Sequence, residues 1–262
     1  MKTKSRWISL FLAMVMMVLF ASLAFRMRLP APSATQLIRG ESGKAAIMET
    51  YGKLPMYFEA NAGQTEEQAK FIARGTGYTL FLTPQEAVLS LRKPTPSAIR
   101  MQLVGANRAP EVQGLEELPS HVNYFIGQDS TKWQTGIPTY SRVRYQAVYP
   151  GVDLVYYGNQ RQLEYDFIVA PGVDPSVIKL GFAGAEKLGV NGAGELVLKL
   201  AGEEVRMRKP VLYQERNGQR EEIAGSYTLA CATDAAGNLP QVGFHVGAYD
   251  ATRPMAGWSA QR

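Results

Sequence analysis

The chain has 262 residues, 46% of them hydrophobic, with 28 Lys and Arg, 23 Asp and Glu, two His and a single Cys. A net charge of +5 would ordinarily point to nucleic acid or an acidic membrane. However, five of the basic residues fall within residues 1–34, which hold no acidic residue, and residues 35–262 carry 23 of each sign. The neutral body excludes nucleic acid as the expected partner, and the lone Cys231 excludes an internal disulfide.

The chain opens on Lys2, Lys4 and Arg6, followed by an uncharged apolar run from Trp7 to Phe25. That is the layout of a secretory signal, so residues 1–24 are expected to direct export to an extracytoplasmic location, secreted or at the cell surface. Ser22 and Ala24 have the spacing a signal peptidase reads, and the run is also long enough to stay as an anchor. Membrane contact is expected only through this segment if it is uncleaved. Residues 25–50 read as a linker with Pro30, Pro32 and Gly40 and a short helix over residues 44–51.

From Leu54 the pattern changes to runs of four to eight apolar and aromatic residues, punctuated by Gly, Pro and Asn about every ten residues, which argues for an all-β fold. Strands are expected at 54–59, 70–74, 78–83, 86–92, 99–104, 121–126, 139–147, 152–157, 163–169, 176–182, 194–200, 203–208, 211–216, 221–231 and 241–248. Asn217-Gly218 is a hairpin signal, because both central positions of a type I′ turn need positive φ. The expected fold is one large antiparallel β-sandwich over residues 51–254; two smaller β units split near residue 130 are the alternative. Cys231, near the alternation of Tyr227 and Leu229, reads as a small buried hydrophobe.

The segment from Ser141 to Gly172 carries the one charged constellation. Val143, Tyr145 and Ala147, then Val152, Leu154 and Tyr156, then Leu163, Tyr165, Phe167 and Val169 alternate with Arg142, Arg144, Asp153, Glu164 and Asp166. A hairpin loop of even length puts all the apolar members on one face. With Gly158 to Arg161 as the loop, Asp153 would face Asp166; with Gly158-Asn159 alone, it would face Glu164. Either register sets two carboxylates across from each other and calls for compensation. Arg142 and Arg144 as a charge ladder, a Ca²⁺ ion at Asp153 and Asp166, and a shared proton as in a glycosidase pair are three ways to supply it.

Other motifs carry less. His121 and His245 have no Cys or acidic residue at metal-ligand spacing, which disfavours zinc and a serine triad. Gly75-Thr76-Gly77 lacks a third glycine and a following helix, so no cofactor loop is expected. Trp133, in DSTKWQTG, is an aromatic expected to be exposed and suited to stacking on a sugar ring or capping the end of a sandwich.

The segments LPMYFEANAGQ (54–64), KFIARGTGYTLFLT (70–83), VNYFIGQD (122–129), YPGVDLVYYGNQRQLEYDFIVAPGVDP (149–175), KPVLYQ (209–214) and VGFHVGAYDATRP (242–254) resemble the N-terminal domain of bacterial extracellular proteins that carry SBBP repeats, the β-propeller-type repeats. The resemblance implies a secreted or cell-surface all-β module with no established activity, and it carries over no catalytic residue. Members continue after the stretch matching Pro254 into another apolar strand and then the repeats. Here residues 255–262 read as an atypical tail of low β-propensity, so strand 241–248 is expected to present an uncovered edge open to self-association or to a strand-donating partner. The expected function is non-catalytic interaction or scaffolding with a protein or surface glycan. The alternative is a carbohydrate-binding or carbohydrate-active domain using Trp133, Asp153, Glu164 and Asp166.

Overall fold

The computed structural model describes residues 56–75, 77–92, 96–159, 162–200, 202–230 and 239–260. The leader, the expected helix over 44–51 and Cys231 lie outside the described residues. Among the described residues no helix is long and apolar enough to cross a membrane.

The fold is all-β. β1 (Phe58–Ala60), β2 (Phe71–Gly75), β3 (Tyr78–Leu82), β4 (Glu86–Leu91) and β5 (Ser97–Leu103) form an antiparallel meander. β6 (Glu111–Tyr124) and β7 (Gln134–Tyr149) make a long hairpin, and β7 then pairs with both β1 and β8 (Val152–Asn159), which turns back into β9 (Gln162–Val169). β10 (Leu180–Ala183) returns to β5. β11 (Lys187–Val190), β12 (Leu196–Leu200) and β13 (Glu203–Met207) form a separate three-stranded sheet. β14 (Val211–Arg216) and β15 (Gln219–Ile223) are joined by Asn217 and Gly218, at φ 52° and 75°, as the hairpin signal requires. β16 (Gly225–Ala230) pairs with β17 (Gln241–Val246), and β18 (Met255–Ala260) closes the order.

Most strands join one large antiparallel sheet that curls back on itself. Phe167 of β9 and Phe244 of β17 are separated by eight intervening strands, yet their rings sit 6.4 Å apart. Inward residues of both halves, among them Phe58, Leu80, Leu154, Tyr165, Phe167 and Leu180, are buried in one core. Each contributes about 1.5–3 kcal/mol through the apolar area it removes from water. The small sheet covers an opening in this core: Leu198, Val205 and Met207 meet Leu80, Leu89, Met101 and Tyr156 around a void of only about 20 Å³. Residues Leu54–Arg262 form one compact unit, not two split near residue 130.

Several strand expectations need correction. The part of β6 before the expected strand, Glu111–Ser120, carries charged and polar residues and Pro119 in a largely exposed strand, so it lacks the apolar alternation that marks a buried one. The expected strand 221–231 is broken at Ala224 into β15 and β16. Residues 255–260 are not a structureless tail. Met255–Ala260 pairs with β9 on one side, Met255 through Trp258 pairs with β14 on the other, and low intrinsic propensity is overridden by two neighbours. β17 has β16 along its length and β10 beside Gln241 and Val242, so the expected uncovered edge at 241–248 is paired on both sides within the chain only at those two residues.

Candidate functional site

The registers of β7, β8, β9, β18 and β14 assemble a polar row on the outer face of the sheet. Arg142 pairs with Tyr157, which pairs with Glu164; Val155 pairs with Asp166; Ile168 pairs with Ala256, which pairs with Tyr213. Directly opposed residues of antiparallel strands point to the same side. The inward partners Val143, Leu154, Tyr156, Tyr165 and Phe167 are buried, so the alternation read from the sequence holds for them. Ala147, expected on the same face, is exposed because the register shift after Tyr145 buries Val148 instead. Ala256 keeps the floor low between Ile168 and Tyr213, and β15 adds Arg220 beside them. The result is a groove of about 310 Å³ lined by Arg142, Val155, Tyr157, Glu164, Asp166, Ile168, Tyr213 and Arg220.

Each tyrosine carries a guanidinium: Arg220 lies 4.3 Å from the ring centre of Tyr213, and Arg142 lies 5.9 Å from that of Tyr157. Arg142 also reaches Glu116 of β6 at 3.4 Å. The Tyr157 hydroxyl is shared between Glu164 and Asp166, and Tyr213 adds a second hydroxyl to Asp166. Burial raises the Asp166 carboxyl above its usual range; Tyr157 opposes that shift, Glu164 adds to it, and Arg220 and Arg142 oppose it. Burial likewise raises the Tyr157 hydroxyl, helped by the negative charges of Asp166 and Glu164.

The structure separates the other sequence candidates from this groove. The connection of β8 and β9 is even, as expected, but pairing extends to Asn159 and Gln162, so only two residues lie between the paired strands. Asp153 therefore opposes Ile168, not Asp166 or Glu164, and both expected registers are wrong. Gly158 stays in the strand because its missing side chain makes room: a Cβ there would sit 2.4 Å from that of Met56. Asp153 instead accepts from Arg144 at 2.6 Å and from the Ala147 N–H at 2.7 Å. Arg142 and Arg144 thus do compensate carboxylates, but each takes a different one. Among the described residues no group of three His, Cys, Asp or Glu is placed to hold a metal ion, and Asp153 and Asp166 are not opposed as a Ca²⁺ pair would need.

Trp133 lies at the other end of β7, beyond Gln134, and is not part of the groove. Its ring meets Phe125 edge-on at 5.1 Å and its indole N–H donates to the Gly127 carbonyl. With Phe125 and Ile126 it forms an exposed apolar tip on the β6–β7 hairpin. His121 and His245 are exposed positions on β6 and β17.

Three features escaped the sequence reading. Tyr213 and Arg220 reach the groove only because β18 bridges β9 and β14, which nothing in the tail composition signals. Glu59 is a buried carboxylate, 1% exposed, bonded by the Tyr124 hydroxyl and lying 3.4 Å from Arg74. It ties the turn end of the β6–β7 hairpin to β1 and β2. Its only signal was an acidic residue inside the apolar run MYFEA.

A family model described as Domain of unknown function (DUF7948) matches residues 58–256, from the first residue of β1 into β18. Comparison with curated proteins and with solved structures finds no match.

Proposed function

From a chain that belongs to the DUF7948 family, we infer a non-catalytic interaction module, exported to the cell surface or beyond, that meets its partner on the groove between β8, β9, β14 and β15. One observation carries this reading. Two tyrosine–arginine stacks bracket a carboxylate pair in an open, neutral groove, and tyrosine and arginine are the residues in which contact surfaces concentrate binding energy. Export is supported by the basic and apolar leader. The resemblance to domains that precede SBBP repeats supports the same location.

A second reading keeps the groove and makes the ligand a sugar. Carboxylates, guanidiniums and aromatic hydroxyls in one cleft suit a polyhydroxylated ligand, although Trp133 and Asp153 take no part in it. Binding of the full chain to cell-surface material separates groove from scaffold. The double variant Tyr213→Ala, Arg220→Ala should lose binding while Trp133→Ala keeps it, and equal binding by all three proteins would overturn the assignment. A glycan array run on the same proteins decides between protein and sugar as the ligand.

A further inference from the structure

A separate cleft lies elsewhere among the described residues, where the β3–β4 turn meets the loop after β5. It measures about 690 Å³, within the range of roughly 300–1,000 Å³ that small-molecule sites occupy. Its charges are unbalanced: Lys70, Arg100 and Arg108 line it against a single carboxylate, Glu86. Glu86 is already satisfied, since Arg100 pairs with it and Gln102 donates to its other oxygen at 3.3 Å. Among the described residues no carboxylate forms an ion pair with Lys70 or Arg108, and both are exposed.

The walls are fixed before any ligand arrives. Thr83 Oγ1 accepts the N–H of Glu86 at 3.1 Å and of Gln85 at 3.3 Å, holding the turn. The Asn107 N–H donates to the Val148 carbonyl at 2.8 Å, its Oδ1 accepts from the Ala109 N–H at 3.0 Å, and Gln85 Nε2 donates to the Arg108 carbonyl at 3.2 Å. The backbone at Arg108 is anchored while its guanidinium stays open, so ordering the backbone adds little to the cost of binding. No aromatic side chain lines the cleft, which removes the platform a neutral sugar ring or a nucleobase would stack on. Two open cations beside side-chain amides such as Gln68 match carboxylates carried on a hydroxyl-rich chain.

We propose that this cleft is a second binding site, independent of the groove, for a carboxylate-bearing polysaccharide of the uronic acid type. Lys70 and Arg108 take the carboxylates and the amides take hydroxyls.

Calorimetric titration of the full chain with a uronic acid oligosaccharide, a neutral glucose oligosaccharide and sodium sulfate tests it, at low and at physiological ionic strength. The uronic acid oligosaccharide should bind, more tightly at low salt, while the other two should not. The variant Lys70→Ala, Arg108→Ala should lose at least about tenfold in affinity through lost charge-assisted hydrogen bonds, and Lys70→Glu, Arg108→Glu should abolish binding. Both changes are at exposed positions, and circular dichroism checks that the fold is retained. Tyr213→Ala should leave the titration unchanged, so failure here and failure of the groove are read separately. No binding of the uronic acid oligosaccharide, equal binding of the neutral one, equal binding of sulfate, or unchanged affinity in the double alanine variant would each overturn the proposal.

Discussion

Asp153 Oδ1 accepts the backbone N–H of Ala147 at 2.7 Å while its Oδ2 holds Arg144 at 2.6 Å. Ala147 sits at φ 50°, inside the register shift between Tyr145 and Tyr149, so one carboxylate fastens a bulge that a non-glycine residue resists. Asp153→Ala should cost about 1–3 kcal/mol by leaving a bulge N–H and a guanidinium without their acceptor. Asp153→Asn should cost less because its carbonyl can still accept from Ala147. Ala147→Gly should stabilise by roughly 1 kcal/mol, the strain of a left-handed alanine. Urea midpoints of the three variants check the order; a destabilised Ala147→Gly would show that the bulge carries no such strain.

Asp166 gives a pH signature. Its carboxyl is raised in the fold, chiefly by burial. Between the unfolded value of about 3.9 and the higher folded one, the folded state therefore binds more protons, and stability falls as pH rises through that window. Above it the penalty is complete. Asp166→Asn should raise the melting temperature at pH 7 and lose that advantage below the window. A melting difference that does not change with pH would mean the carboxyl is not held in that state.

β18 is the least obvious strand and the most consequential. A chain ending at Pro254 loses the pairing of β9 with β14 and with it the alignment of Asp166 beside Tyr213. It should fail to fold, or fold with a much lower denaturant midpoint. In the full chain, hydrogen exchange should be slow at residues 255–258 and at Gln241 and Val242, which have strand neighbours on both sides. Fast exchange at either stretch would contradict the pairing.

Gly158→Ala should destabilise by about 1–3 kcal/mol, the usual cost of overpacking, because the new methyl lies 2.4 Å from the Met56 Cβ. The change Met56→Gly, which removes that Cβ, should partly rescue it in a double-mutant cycle. No coupling between the two would mean that Gly158 is kept for another reason.

The same glycine marks where sequence reading stopped. Alternation in Val152–Asn159 and Gln162–Val169 specifies which side chains face inward, since the period of a strand is two, and the buried Leu154, Tyr156, Tyr165 and Phe167 follow it. Alternation cannot distinguish one even loop from the next. Gly158-Asn159 looks like turn chemistry, and only the approach of Met56 reveals it as strand. The Asn217-Gly218 turn was legible because both residues satisfy a backbone requirement of their own. The groove was half legible: Glu164, Asp166 and Arg142 lie in neighbouring strands of one segment, whereas Tyr213 and Arg220 arrive through a long-range pairing with no local signature.

The contact role of the groove is tested most directly by photocrosslinking in the cell that makes the protein, with benzoylphenylalanine placed at position 213 in one sample and at position 245, an exposed site on β17, in another. The account predicts an adduct of defined mass from position 213, lost on adding Arg220→Ala, and none from position 245. No adduct at 213, or the same adducts from both positions, would contradict it.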